Sequence, residues 1–327
     1  MSEVLTLPQL GAAVAVRRAP ARISRQKLSM LRLEHDVAGS EAPAQPVLMR
    51  SMALATFEGR VSDALSWLEA LHATLAPEVC SWQCLNAMID TLIMAGYYHE
   101  ALTLPDAWSL EAREHGGRRD SDWFILARVN AVEALYNLGR VPEAAALVSK
   151  LEAECDAGSY ARYGVGMQAA WMATLVGEPA RALTLLEALG SLPVDYRAEL
   201  HYTRALALSL LGRHADALRE ADCGFRSAVR ASSFRNGLYM LGSIAHHAGD
   251  HVQAARHFEA GFEHPYRAQG GAALVCFGDT LQVLGRIEQA KHVYEAVAER
   301  DPQSCACAQA SERLGQLSNT AIRAMDE

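Results

Sequence analysis

The sequence predicts an all-α protein, a right-handed solenoid of antiparallel helix pairs closed by a C-terminal capping helix. Three observations predict it. The stretch LGRVPEAAAL at 138–147 returns as LGRHADAL at 211–218 and as LGRIEQA at 284–290. Alanine is abundant in runs such as AVEAL and AAALV, where a small side chain of high helix propensity lets helices approach closely. Alternating runs of Val, Ile and Thr, the mark of strands, are scarce.

Composition sets the outer bounds. With 50% hydrophobic and 21% charged residues over 327 positions, the chain has ample material for a continuous core. A net charge of -8 argues against binding nucleic acid by neutralising phosphates, which needs a Lys/Arg surplus on at least one face. The seven cysteines form no C-x-x-C pair, a pattern that fits reduced thiols and a cytoplasmic location. The apolar stretch from Val4 to Val16 follows Glu3 and contains Pro8, so it does not read as a secretory signal. No run approaches the roughly 18 apolar residues of a membrane span.

From the N-terminus, residues 1–45 read as a basic arm and linker, partly flexible. Six Lys/Arg and no acid lie between Arg17 and Arg32, a helix is compatible with 22–35, and HDVAGSEAPAQP has linker composition. The arm is either simply solvated or a basic docking arm that binds the acidic body of another copy or of a partner, or contacts anionic surfaces.

Residues 46–302 hold the repeat. A Gly is followed five residues later by an Ala at Gly59/Ala64, Gly96/Ala101, Gly139/Ala144, Gly177/Ala182, Gly212/Ala217, Gly249/Ala254 and Gly285/Ala290. Successive glycines are 37, 43, 38, 35, 37 and 36 residues apart, the period of a helical-pair solenoid. Each Gly ends a helix in the left-handed conformation. Residues such as Pro142 and Glu143 then open the next helix, and the Ala marks where the two helices pass closest. The 43-residue step contains WSLEAREHGGRRDSDW, read as a lengthened second helix and an exposed loop from Gly116 to Asp122. Residues 303–327 read as an amphipathic capping helix and tail, which covers the otherwise apolar end of the stack.

The pattern G-x-x-x-[DE]-A resembles the tetratricopeptide repeat (TPR). The sixth copy carries it most fully, with Leu241-Gly242, Gly249-Asp250, Ala254, Phe258, Gly261 and Pro265. The seventh has Phe277-Gly278, Gly285, Ala290, Tyr294 and Asp301-Pro302, while the first five are degenerate. The resemblance implies a superhelix whose inner groove is lined by the first helix of each pair, at positions 13, 10, 6, 3 and 2 before each turn Gly. Those positions hold no Lys or Arg. They do hold Asn86 and Asp90 in the second repeat, Glu133, Tyr136 and Asn137 in the third, Trp171 in the fourth, and Glu199 and Tyr202 in the fifth. The sixth adds Asn236, Tyr239, Ser243 and His246, and the seventh Asp279 and Gln282.

Such a groove disfavours an acidic peptide terminus, which the family grips with Lys and Arg. It suits a protein or peptide segment that is apolar or carries Arg/Lys and packs on Trp171, Tyr202 and Tyr239, unless those rings merely fill space between repeats. His247 and His251 straddle a turn rather than sharing one helix, so they do not form a helical zinc pair. No phosphate-binding loop, dinucleotide fingerprint, nucleophile elbow or H-E-x-x-H motif occurs, so neither catalysis nor a cofactor is expected. The resulting expectation is a protein–protein interaction module: a scaffold, adaptor or chaperone. The alternative is a regulatory or assembly subunit of a larger secretion or transcription machine. A helical-repeat RNA binder is a poorer match to the irregular period and the acidic balance.

Overall fold

The computed structural model describes residues 45–74, 82–104, 122–156, 158–193, 196–266 and 268–326. The expected basic arm therefore lies outside the described residues, as does most of the expected insertion. Asp122, read from sequence as the end of that loop, instead opens a helix. Among the described residues there are fifteen helices and no strand. They fall into seven pairs and a last helix: α1 Gln45–Phe57 with α2 Val61–Thr74, α3 Trp82–Met94 with α4 at 98–104, and α5 Asp122–Asn137 with α6 Val141–Glu154. Then come α7 Ala161–Leu175 with α8 Pro179–Ala188, α9 Arg197–Leu210 with α10 His214–Ser227, and α11 Ala231–His247 with α12 His251–Phe262. The final pair is α13 Gly271–Val283 with α14 Ile287–Arg300, followed by α15 Cys305–Asp326.

One turn chemistry joins the two helices of every pair. Each of the seven turn glycines has a positive φ, between 72° and 83°. Its N–H donates to the carbonyl three residues back, as in Gly139 to Tyr136 at 2.8 Å and Gly212 to Ser209 at 2.9 Å. The following N–H reaches the carbonyl five residues back, as in Arg140 to Leu135 and Arg213 to Leu208, both at 2.9 Å. These two bonds define a Schellman cap, which satisfies the carbonyls a helix end leaves open. The residue after the glycine also starts the next helix, because its carbonyl accepts from the Ala at Gly+5 in all seven turns.

That Ala is the packing point. Ala64, Ala101, Ala144, Ala182, Ala217, Ala254 and Ala290 are all 0–1% exposed, so none has room for a further methylene. In the later repeats a second lock joins the pair, an aromatic ring lying on a glycine. A Cβ at Gly242 would come within 2.8 Å of the Phe258 ring, and one at Gly224 within 2.5 Å of the Tyr202 ring. The Tyr294 ring covers Gly278 in the same way.

The chain divides into two compact units, Met1–Ala134 and Leu135–Glu327. In the first, α1 packs on α2 and α3, and Leu48, Met52, Leu68, Leu71, Met88 and Ile89 on these helices are buried. The Thr56 and Thr91 hydroxyls, 2.9 Å apart, tie its first and second repeats together. In the second unit, each of α7, α9 and α11 packs on its own partner helix and on the first helix of the following repeat, and α13 packs on α14. α15 takes the place of a further first helix: it packs on α13 and α14, and its Ala306 and Ala310 join a cluster with Leu274, Val293 and Val297.

Candidate functional site

The inner positions of the first helices were expected to offer polar and aromatic groups to a partner. The structure sorts them into three sets. The first set serves contacts between helices. Asn130 Nδ2 donates to Asn86 Oδ1 at 3.2 Å. His246 Nδ1 meets Thr280 Oγ1 at 2.8 Å. Glu199 accepts a short hydrogen bond from the Ser233 hydroxyl. Asp279 accepts from Tyr294 Oη at 2.7 Å and pairs with Arg313 Nε at 3.0 Å, while Gln282 donates to the same tyrosine oxygen. Asp279 and Gln282 are thus built into the attachment of α14 and α15 to α13.

The second set is the buried rings. Tyr202 and Tyr239 are 5% and 4% exposed, which corrects the expectation that they form open platforms. Tyr202 covers Gly224 and Gly237 and donates through its hydroxyl to the Ser233 carbonyl at 2.8 Å. Tyr239 covers Gly261 and Gly270. Burial pushes both phenols above their ordinary pKa, as expected of rings removed from water. The physical reason is reciprocal: the glycines opposite leave a volume that only a flat ring fills, so the ring belongs to the junction and not to the surface.

The third set stays reachable. Trp171 is half-buried and meets Tyr136 edge to face, with centroids 6.1 Å apart at 85°. Asn236 is exposed, and Asp90, Glu133, Asn137 and Ser243 are half-buried. At the position two before the turn Gly, Leu210 is 50% and Val283 60% exposed. These aliphatic residues were not singled out from sequence, although an apolar residue placed two before a turn Gly was a readable signal. With Glu199 and Asp279 engaged internally, the row in the second unit is more apolar than its composition implies.

Sequence reasoning also missed Arg235. It is 1% exposed, with its guanidinium over the rings of Tyr266 at 4.3 Å and Tyr239 at 5.1 Å. It donates to the carbonyls of Ala268 and Gln269 and to Asn236 Oδ1 at 3.0 Å. Carbonyl oxygens and ring faces take the role of a counter-ion to the guanidinium. The arrangement fixes the connector from α12 to α13, where Gln269 is the one non-glycine residue of positive φ among the described residues. The spacing Arg235-x-x-x-Tyr239 on one helix was its sequence signal.

The histidines gather at the turn of the sixth repeat. The His246 ring lies 5.0 Å from His251 and 5.7 Å from His247, centroid to centroid. Among the described residues no group of three or more His, Cys, Asp or Glu has the geometry to hold a metal. No helix among them is long and apolar enough to cross a membrane.

Helix pairs joined by a Schellman glycine and locked by a buried alanine, repeated seven times, define a helical-repeat protein of the pairwise antiparallel kind. Residues 125–149, 198–222 and 236–260 match the family model of the tetratricopeptide repeat, each stretch spanning one turn glycine and the helices on either side. Those three stretches are similar to the tetratricopeptide repeat, and the other turns repeat their Gly/Ala chemistry. No curated protein matches it. Similar solved structures include a Rap protein complexed with competence and sporulation factor, at 12% identity, covering 79% of this chain and 77% of that one, with a TM-score of 0.49. Another is a tetratricopeptide repeat protein from Parabacteroides merdae, at 12% identity over 84% of this chain and 98% of that one, with a TM-score of 0.49. YrrB, described as a TPR protein with an unusual peptide-binding site, is 15% identical over 62% of this chain and 97% of that one, with a TM-score of 0.33.

Proposed function

We propose that this chain is a protein–protein interaction module that holds an apolar segment of a partner protein along the inner row of its first helices. The observation that carries the reading is the chemistry left over once the repeats have been assembled. Glu199 and Asp279 have partners within the chain, Tyr202 and Tyr239 are buried, and Trp171, Leu210 and Val283 retain accessible apolar surface. Accessible aliphatic and aromatic groups on the first helices support partner contact. The rings and aliphatic chains supply area, and the half-buried Asn137 and Ser243 and the exposed Asn236 supply direction. Scaffold, adaptor and chaperone roles all follow from this one mode of binding, and no catalytic step is part of the proposal.

The test is affinity capture of the intact chain from its own cells, set against Trp171→Ala and Leu210→Ser variants whose folding is verified by circular dichroism. A partner retained by the parent chain and lost by both variants supports the reading. Retention of every partner by both variants overturns it. A filter-binding measurement with RNA at low salt serves as the control for the nucleic-acid alternative, and the net charge of -8 predicts no retention.

A further inference from the structure

We propose that His246, with His247 and His251 beside it, makes the junction between the sixth and seventh repeats a proton-sensitive hinge: mild acid charges His246 and loosens α11 and α12 from α13. The geometry begins at one hydrogen bond. Thr280 Oγ1 donates to the Cys276 carbonyl at 2.7 Å, so its hydroxyl proton is committed and it accepts from His246 Nδ1. That fixes the neutral tautomer and leaves Nε2 as the atom that takes up a proton. The corresponding link between the first and second repeats, also from three before one turn Gly to five before the next, is Thr56 to Thr91 and cannot titrate. The sixth repeat therefore places an ionisable ring where the first uses a hydroxyl.

The surroundings of His246 decide the response. From its own helix comes His247, and from α12 comes His251, whose buried Nδ1 has no hydrogen-bond partner. From α10, His214 acts on His247, and from α9 the Ser209 hydroxyl meets His214 Nδ1 at 3.5 Å. Asp250 in the turn caps α12 by accepting from the Gln253 N–H. From α13, Asp279 is the carboxylate that attracts a charged His246, but it already receives the Tyr294 hydroxyl and the Arg313 guanidinium. Burial and the neighbouring histidines hold His246 below its ordinary pKa, and burial and His214 do the same for His247. The folded junction thus resists protons that the opened junction accepts, and proton uptake drives opening.

Hydrogen exchange on the full chain at pH 7.5 and pH 5.5, corrected for the intrinsic pH dependence of exchange, tests this. The expected result is a several-fold loss of protection at pH 5.5 in peptides from 231–262 and 271–283, with 161–188 unchanged. A His246→Thr/His251→Gln variant, which copies the threonine link of the first repeats, is expected to abolish the acid effect. His247→Gln, which leaves the Thr280 bond intact, is expected to reduce it. Protection equal at both pH values in the parent chain, or an acid loss of the same size in the variants, overturns the proposal.

Discussion

The guanidinium of Arg235 lies 4.3 Å over the ring of Tyr266, with almost none of its surface open to solvent. The pair holds the connector between the sixth and seventh repeats by cation–π attraction and by bonds to two backbone carbonyls. Removing the side chain takes one donor from those carbonyls and opens a cavity between Tyr239 and Tyr266. Arg235→Ala is expected to cost roughly 3 kcal/mol. Arg235→Lys is expected to recover only part of that loss, because an ammonium lacks the planar fork. Urea denaturation of both variants checks the order.

The turn and the packing point make separable demands. Gly212 has φ of 73° and a Cβ there would touch nothing within 4 Å, so Gly212→Ala carries a backbone cost alone, about 1 kcal/mol. Ala217, five residues on, is fully buried between helices. Ala217→Leu is expected to cost about 3 kcal/mol or more through overpacking, although leucine is a good helix former. Equal losses for the two substitutions would contradict this division of labour.

Acid should weaken the fold as a whole. His246, His247, His257 and His264 all have folded pKa values below 6.5, with burial the first cause in each case. The unfolded chain therefore takes up protons first. Stability is fully present above about pH 6.5 and declines as pH falls through that value towards the folded pKa values. Urea midpoints measured from pH 8 to pH 5 are expected to be flat down to about 6.5 and to fall below it.

Thiol reactivity should follow burial. Cys276 is pushed up to about 12, chiefly by desolvation, and Cys84 is buried. Cys223 is exposed. Alkylation of the native chain with iodoacetamide at pH 8 is expected to label Cys223 well before Cys84 and Cys276. Peptide mass mapping over time reads the order.

The seven Gly/Ala turns were legible because their chemistry is local. A left-handed residue and a small residue five positions later are demanded by the backbone of one turn, and Gly139 and Ala144 state both. Tyr202 and Tyr239 were not legible in the same way, because their fate depends on glycines at 224, 237, 261 and 270, on other helices or beyond them. Only assembly shows that these rings are used up inside the stack. Asp279 is a similar case: its surface role disappears because Arg313, in the last helix, reaches back to it. Leu210 and Val283 went unremarked for the opposite reason, since aliphatic residues in a helical pattern read as core until the structure leaves them exposed.

The central claim is that partners meet the inner row of the first helices. Site-specific incorporation of a photo-crosslinking phenylalanine analogue tests it most directly, at Trp171, Leu210 and Val283 in one set of chains and at Arg219 and Lys291, on the second helices, in another. Irradiation in the native cell is expected to join the first set to the same partner protein and to leave the second set uncrosslinked. Crosslinks confined to positions 219 and 291 would contradict it.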